Sequence, residues 1–142
     1  VGGGGFSREE RGDIERRGLL HRFRFVDFSP NPASLIKGVD MVVVPSLWEA
    51  CPLLPMEVLI AGTPLITSDF DALREVVKDS PTRLVGVKDV EALVAAVRDF
   101  RDIDRSAEFA NYVAEACIRF DVARTVAGIE GLYSSLLAQS WG

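Results

Sequence analysis

Apolar positions along this chain fall into two rhythms that change places near residue 89. Before it, short apolar runs alternate with helix-length segments bounded by glycine and proline. After it, apolar residues recur at three- and four-residue spacing. Residues 7–18 predict a polar helix, with Ser7 as cap and Glu10 three residues later. Phe23-Arg24-Phe25-Val26 predicts a short strand ending at Asp27, and residues 32–38 a short helix. Met41-Val42-Val43-Val44 is a continuous apolar run of the kind buried on both faces of a sheet. Residues 53–61 predict a helix stopped by Gly62 and Pro64. Leu65-Ile66-Thr67 is the next strand, a helix follows over about residues 72–78, and residues 83–87 predict an edge strand.

Helix and strand in alternation imply an α/β fold, a parallel sheet with helices on both faces. From Asp89 onward only helices are expected. Val90, Leu93, Val94 and Val97 mark one amphipathic face, and a second helix covers about residues 106–120. The last helix carries Val122, Val126, Ile129, Leu132, Tyr133, Leu136 and Leu137, a stripe that needs a surface to lie against.

Composition narrows the function classes. The 142 residues suit one domain, and 48% hydrophobic with 26% charged residues is a globular balance. No apolar run approaches the ~20 residues that span a bilayer, and no signal segment opens the chain. A net charge of −5 argues against nucleic acid as partner, so an anionic ligand needs a local site. Cys51, Cys117 and the single histidine, His21, cannot compose a zinc motif; two reduced thiols in a cytoplasmic protein are expected. His21 lies in a basic stretch that reads as a solvated face. Val1 runs straight into Gly2-Gly3-Gly4-Gly5, which reads as a chain cut just upstream, a cloning linker being the other reading. These glycines do not form a dinucleotide fingerprint, because Ser7 and Arg8 stand where its third glycine would be.

The densest chemistry runs from Pro45 to Glu57, at the carboxyl edge of the sheet where open α/β sheets bind ligands. The helix that follows turns its free N–H groups and positive dipole end toward that edge, ready for phosphate. Pro52 and Pro55 carry no N–H, which leaves Leu53 and Leu54 as backbone donors. Glu49 precedes the helix, Glu57 lies on it, and seven residues stand between them. A carboxylate's two acceptor oxygens match the vicinal hydroxyls of a ribose or hexose. The plainer readings are a solvated loop acid for Glu49 and a polar-face residue for Glu57. Trp48 could stack on a sugar or base, or pack within the loop.

Ser46-Leu47-Trp48-Glu49-Ala50-Cys51-Pro52, then Pro55-Met56-Glu57, then Ala61-Gly62-Thr63-Pro64-Leu65-Ile66-Thr67-Ser68-Asp69 resembles the signature of the group 1 family of retaining glycosyltransferases. The resemblance implies a Rossmann-like parallel sheet flanked by helices, the C-terminal half of a GT-B glycosyltransferase, ending in helices. It implies that residues 1–142 are the donor-binding domain, without its first strand and helix and without the N-terminal acceptor domain of the parent chain. The activity implied is sugar transfer from a nucleotide-diphosphate sugar to an acceptor hydroxyl, with retained anomeric configuration.

Carried onto this sequence, the family pattern has Glu57 holding the ribose hydroxyls and Glu49 acting at the face of the donor sugar where the bond breaks. Backbone at Cys51, Leu53 and Leu54 would meet sugar and diphosphate, with Ser46 at the strand end in the same donor-binding set. Gly2, Gly3 and Gly4 would let backbone approach the donor closely, and residues 25–28 would flank the base. No metal is expected; protein dipoles and cations would stabilise the leaving diphosphate.

The chain departs from the pattern in two places. Phe70-Asp71-Ala72-Leu73-Arg74-Glu75 lacks the glycine pair that often precedes Glu75, and the family's phosphate-binding arginine and lysine lie upstream of Gly2. An alternative therefore stands beside the enzyme: a non-catalytic nucleotide-sugar-binding or regulatory module of the same fold. A phospho-receiver or dehydrogenase domain fits less well, since no acidic cluster follows an early strand. The apolar stripe of the last helix is expected to recruit another copy or to swap between chains. Localisation is expected to be cytoplasmic, or peripheral at a membrane through the acceptor domain.

Overall fold

The computed structural model describes residues 7–26 and 28–139, which divide into two compact units, residues 1–34 and 35–142. The first unit holds α1 (Ser7–Arg16) and a single 3₁₀ turn (Leu20–Arg22). α1 is polar along most of its length and is fastened by Asp13, which accepts from Arg17 Nε at 2.8 Å and Arg16 Nη2 at 3.2 Å. Residues 23–26 form no strand, contrary to the sequence expectation. Phe23 and Phe25 stay largely exposed, and Phe25 lies under the Arg11 guanidinium at 5.3 Å. Apolar alternation alone does not make a strand: backbone N–H and C=O groups also need a neighbouring ladder, and these residues have none among those described.

The boundary between units falls within α2 (Pro32–Lys37). The second unit contains β1 (Val42–Val44), α3 (Leu53–Ala61), β2 (Leu65–Ser68), α4 (Asp71–Val76) and β3 (Arg83–Val85). Among the described residues three helices then follow without a further strand, α5 (Val90–Asp102), α6 (Ser106–Arg119) and α7 (Val122–Gln139). The sheet has the order β1-β2-β3 and is parallel throughout, with Val43 opposite Ile66 and Thr67 opposite Leu84. The α/β expectation holds, with one exchange of roles. β2 is the strand buried along its whole length, whereas β1, expected to be covered on both faces, is only partly buried. Among the described residues β1 pairs with β2 alone, so it is an edge strand of this sheet.

α3 shows how local sequence and packing cooperate. Gly62 ends it in the left-handed region, at φ +72°, donating its N–H to Leu59 and Val58 oxygens. One face of the helix buries Pro55, Val58 and Leu59. Each fully buried Leu or Val contributes roughly 1.5–3 kcal/mol relative to exposure. That face lies against α6, where Phe109 is buried and meets Phe100 of α5 edge-on, with ring centroids 6.3 Å apart. The opposite face carries Leu53, Leu54, Glu57 and Ile60, all exposed. Thr63, just beyond Gly62, is buried and donates to the Ile36 carbonyl at 3.0 Å, tying α2 to the base of the sheet.

α5 begins at Asp89, whose carboxylate accepts from the Ala92 N–H at 2.9 Å. α7 buries no residue; its large apolar side chains are between 46% and 72% exposed. Among the described residues, no helix is long and apolar enough to cross a membrane.

Candidate donor site at the start of the third helix

β1 and β2 run parallel, so their carboxyl ends, Val44 and Ser68, open on the same edge of the sheet. From Val44 the chain enters the loop 45–52 and then α3. Ser46 and Glu49 are both half-buried, and the Ser46 hydroxyl donates to Glu49 Oε1 at 2.9 Å. Glu49 is therefore a held carboxylate, unlike a freely solvated loop acid. Trp48, between them, is 76% exposed, so the loop-packing reading of its ring does not hold.

α3 starts without a side-chain cap, and its N-cap is Pro52. Pro52 and Pro55 are buried and have no N–H, so the helix start presents the Leu53 and Leu54 N–H groups. Both residues are exposed, as Glu57 is. Glu57 lies one turn after Leu53 on the same face, with no hydrogen bond or ion pair to another described residue. Of the predicted site residues, Ser46 and Glu49 are in direct contact, and Cys51, Leu53, Leu54 and Glu57 follow them through the end of the loop and the first turns of α3. Gly2, Gly3 and Gly4 lie outside the described residues, and Phe25 and Phe28 belong to the first unit.

On the α4 side, ion pairs occupy the turn where the family pattern often has two glycines. Arg74 reaches Asp69 at 2.7 Å and Asp71 at 2.8 Å, and these carboxylates, Asp69 first, raise the pKa of its guanidinium. Between α3, α4 and the end of α6 lies a cleft of about 270 Å³ lined by Cys51, Pro52, Met56, Ala72, Glu75 and Arg119. Arg119 donates to the backbone oxygens of Glu75 and Lys78 and lies 3.3 Å from the Tyr112 hydroxyl. Sequence reading missed Arg119. It stands 44 residues from Glu75, and no short-range pattern announces their meeting. Cys51 and Cys117 are free, exposed thiols.

This strand-loop-helix geometry has counterparts in known proteins. The family model of group 1 glycosyl transferases matches residues 1–116. The chain belongs to this family. The lipopolysaccharide core biosynthesis mannosyltransferase LpsB of Rhizobium meliloti is 28% identical over 138 residues, covering 93% of this chain and 39% of LpsB. The 2-deoxystreptamine N-acetyl-D-glucosaminyltransferase of Streptomyces fradiae is 34% identical over 102 residues, 70% of this chain and 24% of that enzyme. Among solved structures, Anabaena HepE in complex with UDP superposes with a TM-score of 0.80 at 25% identity, over 90% of this chain and 36% of HepE. Sucrose-phosphate synthase from Thermosynechococcus elongatus superposes with a TM-score of 0.79 at 24% identity, over 93% of this chain and 34% of that one. The fold is thus the Rossmann-like half of a GT-B glycosyltransferase, a parallel sheet closed by helices. The chain spans well under half the length of each of these relatives.

Proposed function

We propose that residues 1–142 are the donor-binding domain of a retaining glycosyltransferase whose acceptor domain lies outside this chain. The observation that carries the reading is the start of α3, which has no side-chain cap and leaves the Leu53 and Leu54 N–H groups free, with the tethered Glu49 before it in the chain and the exposed Glu57 one turn after Leu53. Backbone donors at a helix start suit a diphosphate, and carboxylates suit the sugar hydroxyls at its two ends. Glu57 takes the ribose and Glu49 the donor sugar, with backbone at Cys51, Leu53 and Leu54 between them and Ser46 beside Glu49. Two HepE structures, one in complex with UDP and one with UDP and glucose, support a nucleotide-sugar ligand.

In the reaction proposed, an acceptor hydroxyl oxygen bonds to the anomeric carbon as the bond from that carbon to the diphosphate oxygen breaks. The hydroxyl proton passes to the departing phosphate on the same face, so configuration is retained. No metal takes part in this reading; the α3 dipole and cations from outside the chain offset the charge that develops on the leaving group. The exposed face of α7 is the surface that the rest of the parent covers, and in the isolated chain a second copy takes its place. The free thiols Cys51 and Cys117 fit a reducing cytoplasm, with membrane attachment, where it occurs, through the acceptor domain.

One observation favours a second reading, a binding or regulatory module: the ion pairs of Arg74 with Asp69 and Asp71 occupy the turn where backbone would approach the sugar. The test is to incubate the full-length protein and the isolated chain with labelled UDP- and GDP-sugars and simple acceptors. Turnover by the full-length protein, a retained anomer in the NMR spectrum of the product and an inert isolated chain are expected, because positioning of the acceptor supplies much of the rate. Nucleotide-sugar binding by the full-length protein without turnover would favour the module. Equal turnover by the isolated chain would overturn the two-domain reading.

A further inference from the structure

We infer that Ser46 is a positioning residue for Glu49 and serves the donor sugar through that carboxylate, without donating to the sugar itself. The inference rests on the proposed role of Glu49. A serine hydroxyl has one hydrogen, and Ser46 gives it to Glu49 Oε1 at 2.9 Å. No second donation to a ligand is left while that bond stands. Glu49, in contrast, keeps Oε2 wholly available, since no other described residue donates to it.

The surroundings explain why the carboxylate needs a tether. Glu49 has three rotatable side-chain bonds and sits in a loop whose neighbours Leu47 and Trp48 are exposed. Ser46 is better anchored. It lies two residues past the end of β1, after Pro45, whose ring restricts the backbone at that point. The bond transfers the rigidity of the sheet edge to one carboxylate oxygen and orients the other. A carboxylate held before the donor arrives selects sugar hydroxyls by geometry and loses less freedom on binding.

The test uses the full-length transferase with UDP, and with the nucleotide sugar that supports turnover in a panel of UDP- and GDP-sugars. Ser46→Ala is expected to lower kcat/KM for the donor sugar by about tenfold or more, the effect of losing a charge-assisted hydrogen bond. Binding of UDP without sugar and the melting temperature should stay as they were. Ser46→Thr, which keeps the hydroxyl, should restore most of the activity. In a Glu49→Gln background, Ser46→Ala should add much less, because the interaction it removes is already weakened. Equal loss of UDP and donor-sugar binding, or an undiminished Ser46→Ala effect in that background, would overturn the inference. A crippled Glu49→Gln beside a fully active Ser46→Ala would sink the Ser46 role alone. A fully active Glu49→Gln would sink the role of Glu49 and this inference with it.

Discussion

A Cβ placed on Gly62 would stand 2.8 Å from Val113 Cγ2, so the residue that ends α3 also sets how closely α6 can approach. Two demands meet at this glycine: the left-handed backbone at φ +72° and the absence of a side chain facing α6. Gly62→Ala should therefore cost about 2–5 kcal/mol, the sum of the left-handed penalty and overpacking. Urea denaturation measures it. Adding Val113→Ala should relieve the steric share but leave the backbone share; full recovery in the double variant would mean that the backbone conformation costs nothing here.

Glu57 is exposed and makes no contact that the fold depends on. Glu57→Gln should leave the urea midpoint nearly unchanged while weakening UDP binding in the full-length protein by about 1–3 kcal/mol. Titration calorimetry decides between binding and structural roles: unchanged UDP affinity would remove Glu57 from the site.

Arg119 joins α6 to the end of α4 through two backbone carbonyls. Arg119→Met keeps the apolar stem and loses the donors, so it should destabilise the second unit by about 1–3 kcal/mol. Hydrogen exchange should show the loss first at the amides of residues 75–80. Uniform loss across the domain, with no local excess there, would contradict a specific fastening role.

The starts of α5 and α6 rest on carboxylates. Asp89→Ala removes the acceptor of the Ala92 N–H and should cost about 0.5–2 kcal/mol in chemical denaturation. Asp104 accepts from the Ser106 N–H at 2.9 Å, and that backbone bond, followed by the Ser106 side chain, holds its pKa below the ordinary 3.8. A lowered folded-state pKa makes this contribution complete above the ordinary value and lost as pH falls through the lowered one. Carbon-detected NMR titration should place the Asp104 midpoint below 3.8; a midpoint at or above it would contradict the bond from the Ser106 N–H.

α7 exposes Val126, Ile129, Leu132, Tyr133 and Leu137 along one stretch. Light scattering of the isolated chain should show mass rising with concentration, and Ile129→Glu with Leu132→Glu should return it to a monomer. A wild-type chain that stays monomeric at every accessible concentration would show that this face does not self-associate.

By itself, the sequence determined what short-range physics controls. Gly62 and Pro64 mark the end of α3 because a left-handed backbone and a missing N–H are local properties, and the 3.6-residue period of residues 122–137 reveals α7 in the same way. The loop 45–52 and the start of α3 were legible too, since their ordering along the chain already fixes which N–H groups are free. Tertiary structure decided everything that depends on a distant neighbour. Residues 23–26 have strand-like alternation but no ladder, and β2, not β1, is the fully buried strand, because burial depends on which strands flank it. Arg119 reaches Glu75 across 44 residues, a contact with no period or spacing to betray it. The Ser46–Glu49 bond was hidden for a different reason: three residues apart in a loop, two side chains meet only if the backbone turns them together.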